Sequence, residues 1–258
     1  MITDTPLSLA RQRNLILAVL LGLAISAWVL LIRQSTGRHE PMGLTMGMSA
    51  PAFVLFWGVM MVAMMFPAAA PMILMFARVQ ANKRAQEQAY VPTWIFAGGY
   101  LLVWILSGLL AWVAASGLEA AAEQSIWLME HSARIGGGLL LLAGLYQLTP
   151  LKHICLAKCR TPLGFILQSW RDGPVGALRM GIEHGLYCLG CCWHLFVILF
   201  PLGIMNVVWM GLITLLIFAE KTLGKDYWIS RLAAVSLIVV GATATVFPSI
   251  LSVFGSSR

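Results

Sequence analysis

The amino-acid sequence predicts an all-α protein, a polytopic bundle of about seven transmembrane helices. Two features of the composition favour this fold class: 60% of the 258 residues are hydrophobic and only 10% are charged, whereas soluble domains carry about 25% charged residues. The third observation is a series of apolar runs that approach the roughly 20 residues needed to cross a bilayer. A soluble domain is excluded because the chain lacks the polar residues for a water-facing surface.

Seven apolar segments qualify as spans or come close, and together they make residues 1–258 a single integral membrane domain. They are 15–32, 52–76, 94–116, 126–148, 181–200, 205–219 and 232–254. The first is followed by Arg33 and has no convincing cleavage site, so we expect a retained helix and not a signal peptide. The stretch from Thr149 to Met180 is predicted to be the longest loop.

The distribution of basic residues predicts a cytoplasmic N-terminus and a C-terminus outside. With this orientation, all but four of the 17 Lys and Arg residues fall on the cytoplasmic side, as cytoplasmic loops require. The exceptions are Arg33, Arg38, Arg134 and Arg258. The net charge of +7 is therefore explained by basic residues in the cytoplasmic loops of a protein embedded in the lipid bilayer. We expect no nucleic-acid partner.

The most specific motif lies in the fifth predicted span, around Cys188, Cys191 and Cys192. Residues three and four apart share a helix face, so His184 joins this group of thiols. Thiolates favour Cu(I) and also suit zinc, and ionisable groups inside a membrane usually serve a function. The alternative is that each cysteine packs as a small apolar residue.

Methionines form a second pattern in the second predicted span. Met61, Met64 and Met65 share one face of a helix that also contains Pro67 and Pro71. Thioethers favour the same soft ion as thiolates, so these residues are candidate copper(I) ligands. Methionine is also an ordinary filler of apolar gaps, and the pattern alone does not separate the two interpretations.

Two further groups of sulfur residues lie outside the predicted spans. Met42, Met46 and Met48 follow the first span in a Gly-containing outer loop, where thioethers could bind Cu(I) without deprotonation or could anchor the loop at the interface. Cys155 and Cys159 are four residues apart on the inner side and would share a helix face. The cations around them suit metal-binding or redox thiols, and equally suit anionic headgroups.

The following blocks of residues occur in order along the chain: Trp57, Met60–Pro67, Pro150–Lys152, Cys155, Cys159–Pro162, Gly185–Cys188, Gly190–Trp193, Gly203, Met205, Asn206, Trp209, Met210, Glu220 and Lys221. This series resembles a bacterial family of predicted metal-binding integral membrane proteins, some of them assigned as copper chaperones for tyrosinase-like copper oxidases. The resemblance runs from Trp57 to Lys221, and its most specific part is the Cys-x-x-Cys-Cys-Trp block at 188–193. The resemblance implies copper handling in the bacterial inner (cytoplasmic) membrane.

The resulting hypothesis is a membrane copper(I)-binding protein, not an enzyme, that acts as a metallochaperone or transfer protein for a secreted or membrane copper oxidase. Zinc remains an alternative metal for a Cys–His set. The alternative function is a membrane thiol–disulfide oxidoreductase that uses Cys188, Cys191 and Cys192, with Cys155 and Cys159 as a shuttle pair. No phosphate-binding loop, metalloprotease motif or hydrolase motif occurs in the sequence.

Overall fold

The computed structural model describes residues 9–36, 43–223 and 227–248, and every secondary-structure element in these residues is a helix. The predicted all-α fold class is confirmed. The helices are α1 (Leu9–Thr36), α2 (Ala50–Ala85), α3 (Thr93–Gln124), α4 (Ile126–Glu130), α5 (Ser132–Gln147), α6 (Pro150–Arg160), α7 (Pro162–Ser169), α8 (Gly173–Val197), α9 (Leu199–Leu202), α10 (Val207–Thr222) and α11 (Trp228–Val246).

Five spans are long and apolar enough to cross a membrane in the described part of the chain, and a sixth arises if α5 and α6, bent by 63°, form one broken span. The predicted number of about seven is therefore not confirmed. The segment 205–219 is largely α10, which has 16 residues, and the segment 126–148 is divided at His131 between α4 and α5. The end of the last predicted span, beyond residue 248, lies outside the described residues.

The predicted loop at 149–180 is wrong, because α6, α7 and the beginning of α8 occupy it. Thr149 caps α6 by accepting a hydrogen bond from the Lys152 amide, and Pro150 and Pro162 stand in the first turns of α6 and α7. Proline is tolerated at that position since its missing N–H would have no partner within the helix. The prolines start helices here, although the sequence analysis assigned them to a loop.

Glycine contacts hold two pairs of helices unusually close. A Cβ atom at Gly99 of α3 would lie 2.4 Å from the Leu178 carbonyl oxygen of α8, and one at Gly181 would lie 2.1 Å from the Phe96 oxygen. Gly241 brings α11 equally near to α5, with Leu141 N at 2.4 Å from its ideal Cβ position. Small residues at such crossings are typical of membrane helix pairs, which associate by close packing of their backbones.

A proline and a tryptophan join α1 to α2. Pro67 lies inside α2, and its ring leaves the carbonyl of Ala63 without the usual intrahelical donor. The indole Nε1 of Trp28 on α1 donates to this carbonyl oxygen at 3.2 Å. The break in the hydrogen-bond pattern of α2 is thus repaired by a neighbouring helix, as membrane helices with internal prolines require.

The helix ends separate into two groups at opposite ends of the bundle. At one end, Lys83 after the apolar part of α2 forms an ion pair with Asp172, which precedes α8. The ammonium of Lys83 and the indole of Trp170 hold the pKa of the Asp172 carboxyl below its ordinary value. The other end carries the turn that contains Met46 and the chain between α9 and α10. Of the described basic residues, only Arg33 and Arg134 lie toward that second end.

We expect the substitution Gly99→Ala to destabilise the protein by about 1–3 kcal/mol, because the added methyl group meets the α8 backbone. The neighbouring Gly98 is the matched control, since a Cβ there has no atom within 4 Å. Gly98→Ala should leave stability unchanged or raise it by about 0.5–1 kcal/mol through better helix propensity. Thermal unfolding in detergent measures both, and equal melting temperatures for the two variants would contradict the close packing of α3 on α8.

Candidate metal centre

The three cysteines of α8 lie together on its buried side. The Cys191 thiol donates to the Cys188 carbonyl oxygen at 3.2 Å, and the Cys191 and Cys192 sulfurs are 3.3 Å apart. All three side chains are at most 1% exposed. Helical spacing places these sulfurs on adjoining positions of one face, as the sequence analysis expected.

A fourth sulfur comes from α6. The Cys159 thiol contacts the thiols of both Cys188 and Cys191, so Cys159 belongs to the same group as the cysteines of α8 and not to a separate pair with Cys155. Cys155, one turn earlier on α6, lies with its sulfur against Gly190 of α8. We call Cys159, Cys188, Cys191 and Cys192 the thiol cluster.

Two polar side chains that sequence reasoning had not assigned to the site contact the thiol cluster. Lys221 of α10 donates from its ammonium to the Cys188 sulfur at 2.9 Å, and the hydroxyl of Tyr100 on α3 lies 3.2 Å from the same atom. The ammonium also lies near the sulfurs of Cys159, Cys191 and Cys192. Because a cysteine binds a metal ion as its thiolate, this lysine supplies the counter-charge that such a thiolate needs in an apolar interior.

A buried ion pair between Lys152 and Glu220 lies next to Lys221 in the structure. The Lys152 ammonium donates to both carboxylate oxygens of Glu220, at 2.7 and 2.8 Å, and to the side-chain oxygen of Gln147. Lys152 and Glu220 are 0% and 1% exposed, and Arg160 Nε donates to the Glu220 carbonyl oxygen at 2.6 Å. Glu220 and Lys221, although adjacent on α10, therefore bond side chains on two different helices, α6 and α8.

Two buried histidines flank the cysteines of α8. The ring of His184 stacks on Tyr100 with centroids 5.3 Å apart, and that of His194 lies 4.8 Å from the Tyr146 ring. Neither imidazole has a hydrogen-bond partner for its nitrogen atoms among the described residues, and both side chains are 2% exposed. His184, the predicted ligand, thus lies one turn from Cys188 among aromatic rings. His194 had no predicted role.

The methionines of α2 lie in the interior at the same depth as the cysteines. Met61, Met64 and Met65 are fully buried. Toward one end of α2 the Trp57 ring lies 6.1 Å from Phe196 of α8, and toward the other the Phe76 ring lies 6.0 Å from Trp170, just before α8. The methionine stretch and the α8 cysteines are both located between these two contacts.

The predicted outer methionine loop is only partly described. Met42 lies outside the described residues, whereas Met46 is 4% exposed and Met48 is half-buried. Within residues 43–48, hydrogen bonds join the chain to α3: the Trp112 indole donates to the Met48 carbonyl oxygen at 3.1 Å. Thr45 bonds Glu119 through its amide at 2.9 Å and through its hydroxyl at 2.7 Å.

The donor set suits a soft ion, although the sulfurs are not arranged as a preformed cage. Within residues 9–36, 43–223 and 227–248, no group of three or more His, Cys, Asp or Glu side chains already has the geometry of a metal site. With metal–sulfur bonds of about 2.3 Å, tetrahedral ligands lie about 3.8 Å apart, more than the 3.3 Å between Cys191 and Cys192. Rotation of the thiols and movement of Lys221 would therefore accompany binding of an ion.

Comparison with known proteins agrees with this chemistry. Residues 54–244 match the PpoB2 family, which is described as a copper chaperone. No curated protein and no solved structure matches the chain. The matched region contains the thiol cluster, the buried lysines and the α2 methionines, and it indicates no enzyme family. Because the match covers most of its length, the chain belongs to this family of copper chaperones.

Proposed function

We propose that this protein is a membrane metallochaperone that binds copper(I) at the thiol cluster and supplies it to a cuproenzyme. The observation that carries the proposal is the meeting of four cysteine sulfurs from α6 and α8 beside the buried ammonium of Lys221. Thiolates are soft ligands that select Cu(I), and the helices around them exclude water and harder ligands. Copper is the cargo of such a protein and not a resident cofactor.

The neighbouring residues support copper(I) over zinc. Met61, Met64 and Met65 are fully buried at the depth of the cysteines, and thioethers are ligands of Cu(I) far more than of Zn²⁺. A Cu(I) ion bound by two thiolates has one net negative charge, which the single charge of Lys221 balances. A zinc ion with four thiolates would leave a larger uncompensated charge in an apolar interior.

We place the protein in the bacterial inner membrane, with residues 1–258 as one integral domain in contact with lipid. The described helices expose many large apolar side chains, among them Leu110 of α3 and Leu215 of α10, as a lipid-facing surface requires. The basic end of the bundle would face the cytoplasm and the Met46 end the outside. A secreted or membrane copper oxidase is the client that this orientation favours, since its copper would be received at the outer end.

The first prediction concerns the cysteines. We expect the detergent-purified protein to bind Cu(I) stoichiometrically under reducing conditions, and the combined substitutions Cys188→Ser, Cys191→Ser and Cys192→Ser to abolish tight binding. Cys159→Ser should weaken it more than Cys155→Ser, because only the Cys159 sulfur contacts the other thiols of the cluster. Titration against a Cu(I) chelator measures this. Unchanged affinity in the triple variant, or stoichiometric zinc in place of copper, would refute the proposed centre.

The second prediction concerns the methionines of α2. Leucine has nearly the same volume as methionine, so replacing Met61, Met64 and Met65 by leucine should preserve the fold. The affinity for Cu(I) should nevertheless fall, because three thioether ligands are lost. Met210→Leu on α10 is the control, since this methionine is also buried and lies outside the proposed site. Equal affinities for the triple variant and the control would mean that these methionines only pack.

The third prediction concerns Lys221. Lys221→Met should weaken Cu(I) binding about 10–100-fold, as removal of an outer-shell partner of a metal ligand typically does. Lys158→Met is the matched control. The Lys158 ammonium of α6 donates to Gln168 of α7 in an exposed contact, so the affinity for Cu(I) should stay at the wild-type value. The two dissociation constants, measured in the same chelator competition, must differ if Lys221 serves as the counter-charge.

A further inference from the structure

A large cleft opens at the Met46 end of the bundle, and residues of α3, α5 and α8 line it. Its volume is about 1700 Å³, and its walls are mostly apolar. Three methionines from three different segments line it: Met46 before α2, Met129 in α4 and Met205 before α10. Thioethers from separate segments around one cleft are a donor set that suits a soft monovalent ion.

The backbone around Met46 is held in a strained conformation that keeps its side chain at this cleft. Met46 has a φ of +56°, the left-handed region that side chains other than glycine rarely adopt. The two hydrogen bonds from Thr45 to Glu119 fix the turn against α3. Such strain, about 1–3 kcal/mol, persists only where the surroundings enforce it and often marks a functional position.

The floor of the cleft leads to the cysteines. Gly190 lines the cleft, and a Cβ at this position would lie 2.7 Å from the Cys155 sulfur. The Gly190 backbone therefore lies beside both the cleft and that thiol. Cys159 follows Cys155 by one turn of α6 and contacts the sulfurs of Cys188 and Cys191, so sulfur atoms continue from the cleft to the thiol cluster.

We propose that the cleft is a second copper(I) station, with Met46, Met129 and Met205 as thioether ligands, and that copper exchanges between it and the thiol cluster past Gly190 and Cys155. The inference rests on the proposed function. Each step is a ligand exchange in which a new copper–sulfur bond forms as an old one breaks. The ion remains Cu(I), no electron is transferred, and a thiol that becomes a ligand releases its proton to water in the cleft.

The test compares the wild type with a variant in which Met46, Met129 and Met205 are all leucine. Both are titrated with Cu(I) in detergent under reducing conditions, and the loaded proteins are then mixed with excess bathocuproine disulfonate to follow copper withdrawal. A variant with Met180→Leu and Met210→Leu is the control, since these methionines are buried as well and do not line the cleft. Thermal unfolding of all three proteins verifies that the fold is retained.

We expect the wild type and the control to bind a second, weaker equivalent of Cu(I), and the cleft variant to lose that equivalent alone. Copper withdrawal from the remaining thiol site should be slowed about tenfold in the cleft variant, because the intermediate ligands are gone. A single equivalent in the wild type, or a cleft variant identical to the control, would overturn the second station while the thiol site stands. If the cleft variant instead lost the tight equivalent, and the serine substitutions at Cys188, Cys191 and Cys192 left that equivalent in place, the proposed function would be refuted.

Discussion

Two lysines inside the bundle, Lys152 and Lys221, impose the constraint on which the rest of the site depends. An ammonium group cannot be buried among apolar helices without an anionic or strongly polar partner. Lys152 finds the Glu220 carboxylate and Lys221 finds the Cys188 sulfur. Since the partners lie on different helices, these two contacts fix α10 against α6 and α8 and determine which sulfurs meet.

The arrangement also explains why the site is built almost entirely from sulfur. Hard ligands such as carboxylates would bind competing ions, and the carboxylate of Glu220, which precedes Lys221 on α10, is already engaged by Lys152. The donors that remain around Lys221 are thiols, with thioethers at the same depth and the unpartnered imidazole of His184 one turn from Cys188. The proposed ligand set would therefore discriminate by softness, and the single positive charge of Lys221 would limit how many thiolates can be present together.

Part of this organisation could be predicted from the sequence, because it is local. The apolar runs predicted the helices, and the spacing of Cys188, Cys191 and Cys192 predicted their shared face. The position of Cys159 could not be predicted, because it depends on the 63° bend between α5 and α6. The capping signal Thr149–Pro150 was present in the sequence and could have revealed a new helix at that point. Adjacent residues point in directions about 100° apart on a helix, so Glu220 and Lys221 reach different neighbours, and which helices supply those neighbours depends on tertiary packing that sequence spacing does not reveal.

The contact between Trp28 and the Ala63 carbonyl has a consequence for biogenesis. A membrane protein is inserted from its N-terminus, so α1 already stands in the bilayer when α2 enters with the gap that Pro67 leaves in its backbone. An open carbonyl in hydrocarbon is unfavourable by several kcal/mol, roughly as much as many domains have in total stability. The first helix thus assists the insertion of the second, because the Trp28 indole can donate a hydrogen bond to the Ala63 carbonyl of α2 before any later helix has been synthesised.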